Sequence, residues 1–126
     1  MKGQLTQEFF LSLSVYLAVS ISMMTLGIYQ LSVFSHTQDS LEARRVAGEL
    51  GNAINGVYLA GDNTTSNLSF DPGGSDIGVS GRYLTVSRGN SVQDFVLLTD
   101  RLNTTSVNSS DITIRNNRGV IEIEEK

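Results

Sequence analysis

The sequence predicts an α+β protein, with one long N-terminal hydrophobic helix followed by a small C-terminal antiparallel β-sheet head. Three observations support this class. Phe9 to Ser35 form 27 consecutive residues without a charged side chain. Apolar residues then recur at spacings of three and four up to Val57, as on one face of a helix. From Gly61 onward the chain is rich in Ser, Thr, Asn and Gly, and short β-prone runs alternate with turn signals.

These patterns divide the 126 residues into four segments. We expect the transmembrane half of a helix at 4–35, an amphipathic half of the same helix at 36–60 that packs on the head, and a β-rich head at 61–126. A family resemblance described below implies in addition that 1–3 is a leader peptide, that 4–35 forms a filament core and that the head is extracellular. A chain of this size leaves room for one small domain beside the helix.

The apolar segment is long enough to cross a membrane. At about 1.5 Å per residue the helix over this segment would be roughly 40 Å long, against a hydrocarbon thickness of about 30 Å. A secretory signal peptide is the competing interpretation, but its apolar region is usually about 7 to 15 residues and precedes a small-residue cleavage site. The length therefore favours a helix that the protein keeps.

Small residues form a stripe along this helix. Ser14, Ala18 and Ser22 recur every fourth residue, so a neighbouring helix backbone could approach closely there. The stripe predicts helix packing. Chance alignment is the alternative, since small residues are common in apolar helices.

A carboxylate, Glu8, stands directly before the apolar run and after the polar residues Gln4, Thr6 and Gln7. In a membrane it would mark the interface or act as a favourable anion in the first helical turn. In a protein filament it would be buried and would need a cation or a proton. The best cation would then be the α-amino group of a neighbouring copy.

The run Lys2–Leu11 resembles the class III signal peptide of archaeal type IV pilin precursors. It has a short basic leader, a Gly3-Gln4 junction, the hydroxyl residue Thr6 where serine is more usual, and Glu8 before the hydrophobic stretch. The resemblance implies that a prepilin peptidase cuts between Gly3 and Gln4. It also implies that Glu8, then the fifth residue, meets the N-terminal amine of an adjacent subunit during assembly.

The resemblance further implies a structural subunit, major or minor, of an archaeal type IV pilus-like surface filament, with cell adhesion as one use. The expected partners are copies of itself or related pilins through the N-terminal helix, the prepilin peptidase, and the membrane before assembly. The expected location is a membrane-inserted precursor and then an extracellular filament. The alternative is a single-span membrane-anchored surface module that binds a partner and never polymerises.

One helix from Leu5 to Leu59 is predicted, ending at the turn-prone residues 61–63. Its second half presents an apolar face to the head: Ala43, Val46, Ala47, Leu50, Ala53, Ile54 and Val57. The residues expected to contact that face from a small antiparallel sheet include Phe70, Tyr83, Phe95, Leu97, Ile112 and Ile123.

Five runs in the head are predicted to be strands: Asn67–Phe70, Tyr83–Ser87, Asp94–Thr99, Ile112–Arg115 and Val120–Glu124. The last two should form a hairpin with their isoleucines on one face.

Four asparagines of the head are candidates for N-glycosylation: Asn63, Asn67, Asn103 and Asn108. Each begins an Asn-x-Ser/Thr triplet without proline in the middle. All four fall in predicted loops or strand edges, where a sugar would face solvent. A segment rich in Asn, Ser and Thr also produces such triplets by chance.

Composition argues against several other functions. The net charge is −4, and the 9 basic residues are scattered, so nucleic acid is not an expected partner. The chain has no cysteine and one histidine, His36, so neither a metal site nor a cofactor is expected. The run 78–81, Gly-Val-Ser-Gly, lacks the spacing of a nucleophile elbow, and no other catalytic set is present. The sequence therefore predicts a protein that is not an enzyme.

Overall fold

The computed structural model describes residues 2–126, with side chains from Gly3 onward, and Met1 of the predicted leader lies outside the described residues. One helix, α1 (Lys2–Ala60), precedes all the strands. The strands are β1 (Thr65–Ser69), β2 (Asp76–Ser80), β3 (Tyr83–Arg88), β4 (Ser91–Val96), β5 (Ser106–Val107), β6 (Asp111–Asn117) and β7 (Val120–Glu125). The predicted α+β class is confirmed. The chain divides into two compact units, one ending at Ser35 and one from His36 to Lys126.

The first unit is helical, and every described side chain in it, from Gly3 to Ser35, is exposed. Among the residues that the structure describes, one helix is long and apolar enough to cross a membrane. None of the most apolar stretch of this helix is buried. Length and composition thus permit membrane insertion.

The second unit contains the rest of α1, and the apolar face predicted there is confirmed. Six of its residues are buried: Ala43, Val46, Ala47, Leu50, Ile54 and Val57. Ala53 is partly buried and packs against the same core. The helix ends at Ala60 because Gly61 takes the left-handed conformation, with φ of 96°, that glycine adopts without steric cost.

The strands form two antiparallel sheets, where one was expected. The three-stranded sheet has the order β1-β6-β7, and the four-stranded sheet has the order β4-β3-β2-β5. Two strands were not predicted: β2 contains Gly78, which weakens a strand pattern, and β5 has only two residues. Both sheets contribute to the core, in which Ile77, Leu84, Val86, Val107, Ile112, Ile114, Ile121 and Ile123 are buried. Phe70 and Leu97, each directly after a strand, are buried with them.

The last two strands form the predicted hairpin. Asn117 pairs with Val120, and the two residues between them, Arg118 and Gly119, have φ of 53° and 82°. Two consecutive positive φ values are those of a type I′ turn, whose twist matches that of the flanking strands. The four isoleucines of this hairpin are buried on one face, as predicted: Ile112, Ile114, Ile121 and Ile123.

The strand predicted at Asp94–Thr99 is observed earlier, at Ser91–Val96. The reason is the tight connection after β3: Arg88 pairs directly with Ser91, so pairing starts as soon as the turn is complete. Pairing also stops early, because β3 begins at Tyr83, opposite Val96. Beyond that point the backbone nitrogen of Leu98 donates to Asn55 Oδ1 on the helix at 2.9 Å.

Tyr83 differs from its expected place in the core and is 56% exposed. Leu84 and Val86 fill the buried face of β3, and alternation along the strand then turns Tyr83 outward. Of the other predicted contacts, Phe70, Leu97, Ile112 and Ile123 are buried, and Phe95 is partly buried against the core.

At Gly51 a side chain of β4 packs directly on the helix, because the ring of Phe95 lies where a Cβ would be. We expect Gly51→Ala to lower the free energy of unfolding by about 1–2 kcal/mol, since the overlap outweighs the gain in helix propensity. The matched control is Gly48→Ala, whose Cβ would meet nothing within 4 Å. It should raise stability by up to about 1 kcal/mol. Denaturant unfolding of the full chain in detergent measures both, and equal effects of the two variants would contradict this packing.

A buried asparagine joins the end of the helix to the three-stranded sheet. Asn116 is 2% exposed. Its Nδ2 donates to the carbonyl oxygens of Val57 and Tyr58 at 3.5 and 3.4 Å, and its Oδ1 accepts from the nitrogen of Gly119 at 2.8 Å. Helix C-termini leave carbonyl groups without partners inside the helix, and Asn116 supplies a donor for them. The residue therefore fixes the helix end and the type I′ turn together.

Replacing Asn116 with Ala should destabilise the head by about 1–3 kcal/mol, because the carbonyl oxygen of Val57 and the nitrogen of Gly119 lose this side-chain partner. Asn117→Ala is the neighbouring control. That side chain is exposed and donates to Glu122 Oε1 at 2.9 Å, so its loss should change stability by less than about 0.5 kcal/mol. Thermal unfolding followed by circular dichroism compares them. If Asn117→Ala lowered stability as much as Asn116→Ala does, the capping role of Asn116 would be contradicted.

Candidate assembly surface on the N-terminal helix

Glu8 is the only formally charged side chain between Lys2 and Asp39 when His36 is neutral. It is exposed, and within residues 3–126, whose side chains are described, no cation lies within ion-pair distance of its carboxylate. The first helical turn of α1 holds no acidic residue, because the helix begins at Lys2. A favourable first-turn position therefore does not explain Glu8 in this chain.

The predicted cleavage junction lies at the start of α1. Gly3 and Gln4 are both helical and exposed. Nothing lies within 4 Å of a Cβ added at Gly3, and its φ is not positive. Neither a close contact nor a special backbone conformation therefore requires glycine at this position.

The serine hydroxyls in the predicted stripe of small residues are hydrogen-bonded within the helix. Ser14 Oγ donates to the carbonyl oxygen of Phe10 at 2.8 Å, and Ser22 Oγ donates to that of Ala18 at 2.8 Å. Both hydroxyls are satisfied within the helix, so neither carries the cost of an unpaired polar group in an apolar surrounding. What remains at the surface is a strip on which another helix can pack closely.

The stripe includes a residue that the sequence analysis missed. Thr25 lies three positions after Ser22, and its Oγ1 donates to the carbonyl oxygen of Ile21 at 2.9 Å. Residues three apart in sequence lie on the same side of a helix, as residues four apart do. Counting small residues at both spacings would have identified Thr25.

Large apolar side chains cover most of the rest of this helix surface and are exposed. Among them are Phe9, Leu13, Leu17, Ile21, Met24, Ile28 and Phe34. Exposed apolar surfaces of this extent are typical of segments that contact lipid or another protein.

The four candidate glycosylation asparagines are all exposed and lie around the three-stranded sheet. Asn67 is within the edge strand β1. The backbone nitrogens of the other three donate to acceptors in β6 or β7: Asn63 to Asn116 O, Asn103 to Ile121 O and Asn108 to Glu125 Oε1. None of the four lies in a strand of the four-stranded sheet.

Two of these asparagines use their amide oxygens inside the head. Asn67 Oδ1 accepts from Thr113 Oγ1 and Asn103 Oδ1 accepts from the nitrogen of Ile123, each at 2.9 Å. An N-linked sugar is attached at the amide nitrogen, so these hydrogen bonds are compatible with modification.

Charged side chains beyond the apolar segment form local contacts. Arg45 binds Glu42 and Glu49, each at 3.0 Å, and these hydrogen bonds raise the pKa of its guanidinium. Its Nη2 also donates to the carbonyl oxygen of Asp71 at 3.1 Å, which ties the helix to the loop after β1. Within residues 2–126, no three His, Cys, Asp or Glu side chains come together as a metal-binding group.

Comparisons with protein-family models, curated proteins and solved structures found no match for this chain. Its class is therefore set by its own fold: an α+β protein whose long N-terminal helix is apolar enough to cross a membrane.

Proposed function

We propose that this protein is a structural subunit, major or minor, of an archaeal type IV pilus-like surface filament. The observation that carries the proposal is the exposure of the whole N-terminal unit: no described side chain from Gly3 to Ser35 is buried in the folded chain. The hydrophobic core begins at Ala43 and uses no residue of this segment, so the apolar part of the helix is available to contact other molecules. Burial of apolar surface then favours lipid before assembly and other helices after it.

The position of the junction supports retention of the helix. Ordinary signal peptidase cuts after the apolar stretch and removes it. A cut between Gly3 and Gln4 lies before the stretch and keeps it. The partners that follow are a prepilin peptidase, the membrane, and copies of this chain or related pilins.

Processing also supplies a cation for Glu8. Loss of residues 1–3 removes Lys2, which takes the formal charge from −4 to −5 and creates an α-amine at Gln4. A carboxylate buried among apolar helices is stabilised by an opposite charge within a few ångströms. The amine of Gln4 in an adjacent subunit is the group that this proposal assigns to Glu8.

The head would face outward from the filament, with sugars on one or more of its four candidate asparagines. Adhesion would then depend on the exposed surface of the head. A second candidate function is a membrane-anchored module that does not polymerise. The observation in its support is the length of the apolar segment, which suffices for one membrane crossing.

Mature protein from native membranes or filaments should begin at Gln4. Intact-mass measurement and N-terminal sequencing check this directly. Gly3→Val should leave the precursor uncut, because a branched side chain then stands at the scissile bond, whereas Thr6→Ser should be processed normally. Native material that still begins at Met1 would contradict the proposed cleavage.

Glu8→Ala should insert into the membrane as well as the natural chain but fail to polymerise. Removing one member of a buried ion pair leaves the other charge uncompensated, at a cost of about 3–5 kcal/mol per subunit. Glu49→Ala is the matched control, because it makes the same change in charge at a solvent-exposed pair. Counting filaments by electron microscopy and membrane-bound protein by immunoblot separates assembly from insertion. Normal filament numbers from Glu8→Ala would count against the assigned ion pair.

A further inference from the structure

Gln30 is a polar amide within the apolar part of the helix. Its side chain is exposed, and its amide forms no hydrogen bond with any described residue. Ser14, Ser22 and Thr25 differ, because each donates to a carbonyl of its own helix. Gln30 therefore presents two donors and an acceptor that its own chain leaves unpaired in this structure and that are open to another molecule.

In a membrane Gln30 would lie within the hydrocarbon layer, where a hydrogen-bond partner for its amide is stabilising. Ser22 is the midpoint of the uncharged run 9–35, and Gln30 lies eight residues beyond it. Eight residues of helix span about 12 Å, which is less than the half-thickness of the hydrocarbon layer, about 15 Å. An unpaired amide at that depth is costly.

The face that carries Gln30 is different from the stripe of small residues. Gln30 follows Ser12 by 18 residues, which is five full helical turns, so the two share one face with Val19 and Met23 nearby. The residues of the stripe lie about 80 to 160° around the helix from Gln30. The helix therefore has two faces with the means to bind a neighbour.

We propose that, in the membrane, two copies of this chain pair in parallel through this second face, with their Gln30 amides hydrogen-bonded to each other. An amide carries both a donor and an acceptor, so it is complementary to itself across a two-fold axis. Copies inserted in the same orientation bring their Gln30 residues to the same depth. The occupant of this face is a second copy of this chain.

Glu8 does not oppose this pairing. It lies 22 residues before Gln30, about 33 Å along the axis. Two helices that cross at about 20° near Gln30 diverge by roughly a further 11 Å at that distance. The two carboxylates are then farther apart than the screening length of about 8 Å at physiological salt. The stripe remains open to other copies, so a pair formed in the membrane can add to a larger assembly.

The test uses the absence of cysteine in this chain, which makes single-cysteine variants unambiguous. The full chain is reconstituted in phosphatidylcholine vesicles at low protein-to-lipid ratio and oxidised with copper phenanthroline. Met23→Cys, on the Gln30 face, should give disulfide-linked dimers, which require Cα atoms within about 7 Å. Ile28→Cys, on the opposite side of the helix, should stay monomeric.

The role of the amide is tested in the Met23→Cys background. Gln30→Leu should weaken association by about 3- to 30-fold, the range for polar contacts between helices in membranes. Gln30→Asn, which keeps the amide, should retain cross-linking, and Ser32→Leu is the control at a polar position away from this face. Flotation on a density gradient verifies insertion of each variant.

Equal cross-linking at positions 23 and 28, monomers only, or a Gln30→Leu variant that cross-links as before would each overturn the proposal. The measurement needs neither cleavage at Gly3 nor filaments. Its failure is therefore distinguishable from failure of the proposed function.

Discussion

The constraint on which the rest depends is an apolar helix that its own chain leaves uncovered. From Phe9 to Phe34 the side chains are exposed, while the head has filled its core with other residues. Water is a poor surrounding for such a surface, and each square ångström of apolar area removed from water contributes about 25 cal/mol. Such a surface is compatible with insertion into a membrane.

The head is small, and the second half of α1 makes it a stable unit. Two sheets of three and four short strands would be marginal alone, and the buried face from Ala43 to Val57 supplies a shared core. Polar contacts fix the position of the helix against the strands and the residues that follow them. The nitrogen of Leu98 donates a hydrogen bond to Asn55 Oδ1, and Arg88 forms an ion pair with Asp39 at 3.3 Å. The second half of α1 thus forms part of the core, while the first half stays exposed.

The helix, its buried face and the last hairpin were predictable because they depend on short-range spacing. Periods of three and four identified the residues of the buried face, and the alternation of isoleucines identified the hairpin. The division into two sheets was not predictable in this way. It depends on which distant strands pair, as β1 does with β6, and neither residue spacing nor composition specifies that partner.

The residues of the candidate assembly surface stay predictions, and the sequence supplies them. Glu8 and the stripe were visible because a lone charge and a four-residue spacing can be read along one chain. Asn116 was not, since its importance arises from carbonyl groups nearly sixty residues away that the fold brings to it. Neither the sequence nor the fold of a single chain identifies the partner of Glu8, because the proposed contact is made by a second chain.

The most direct test of the account is electron microscopy of filaments sheared from cells that produce this protein, carried to a reconstruction that resolves the first residue. The account predicts helices bundled in the filament core, a chain that starts at Gln4, and Glu8 beside the terminal amine of an adjacent subunit. Mature molecules that lack the helix, or that remain in the membrane fraction as single copies surrounded by lipid, would contradict it.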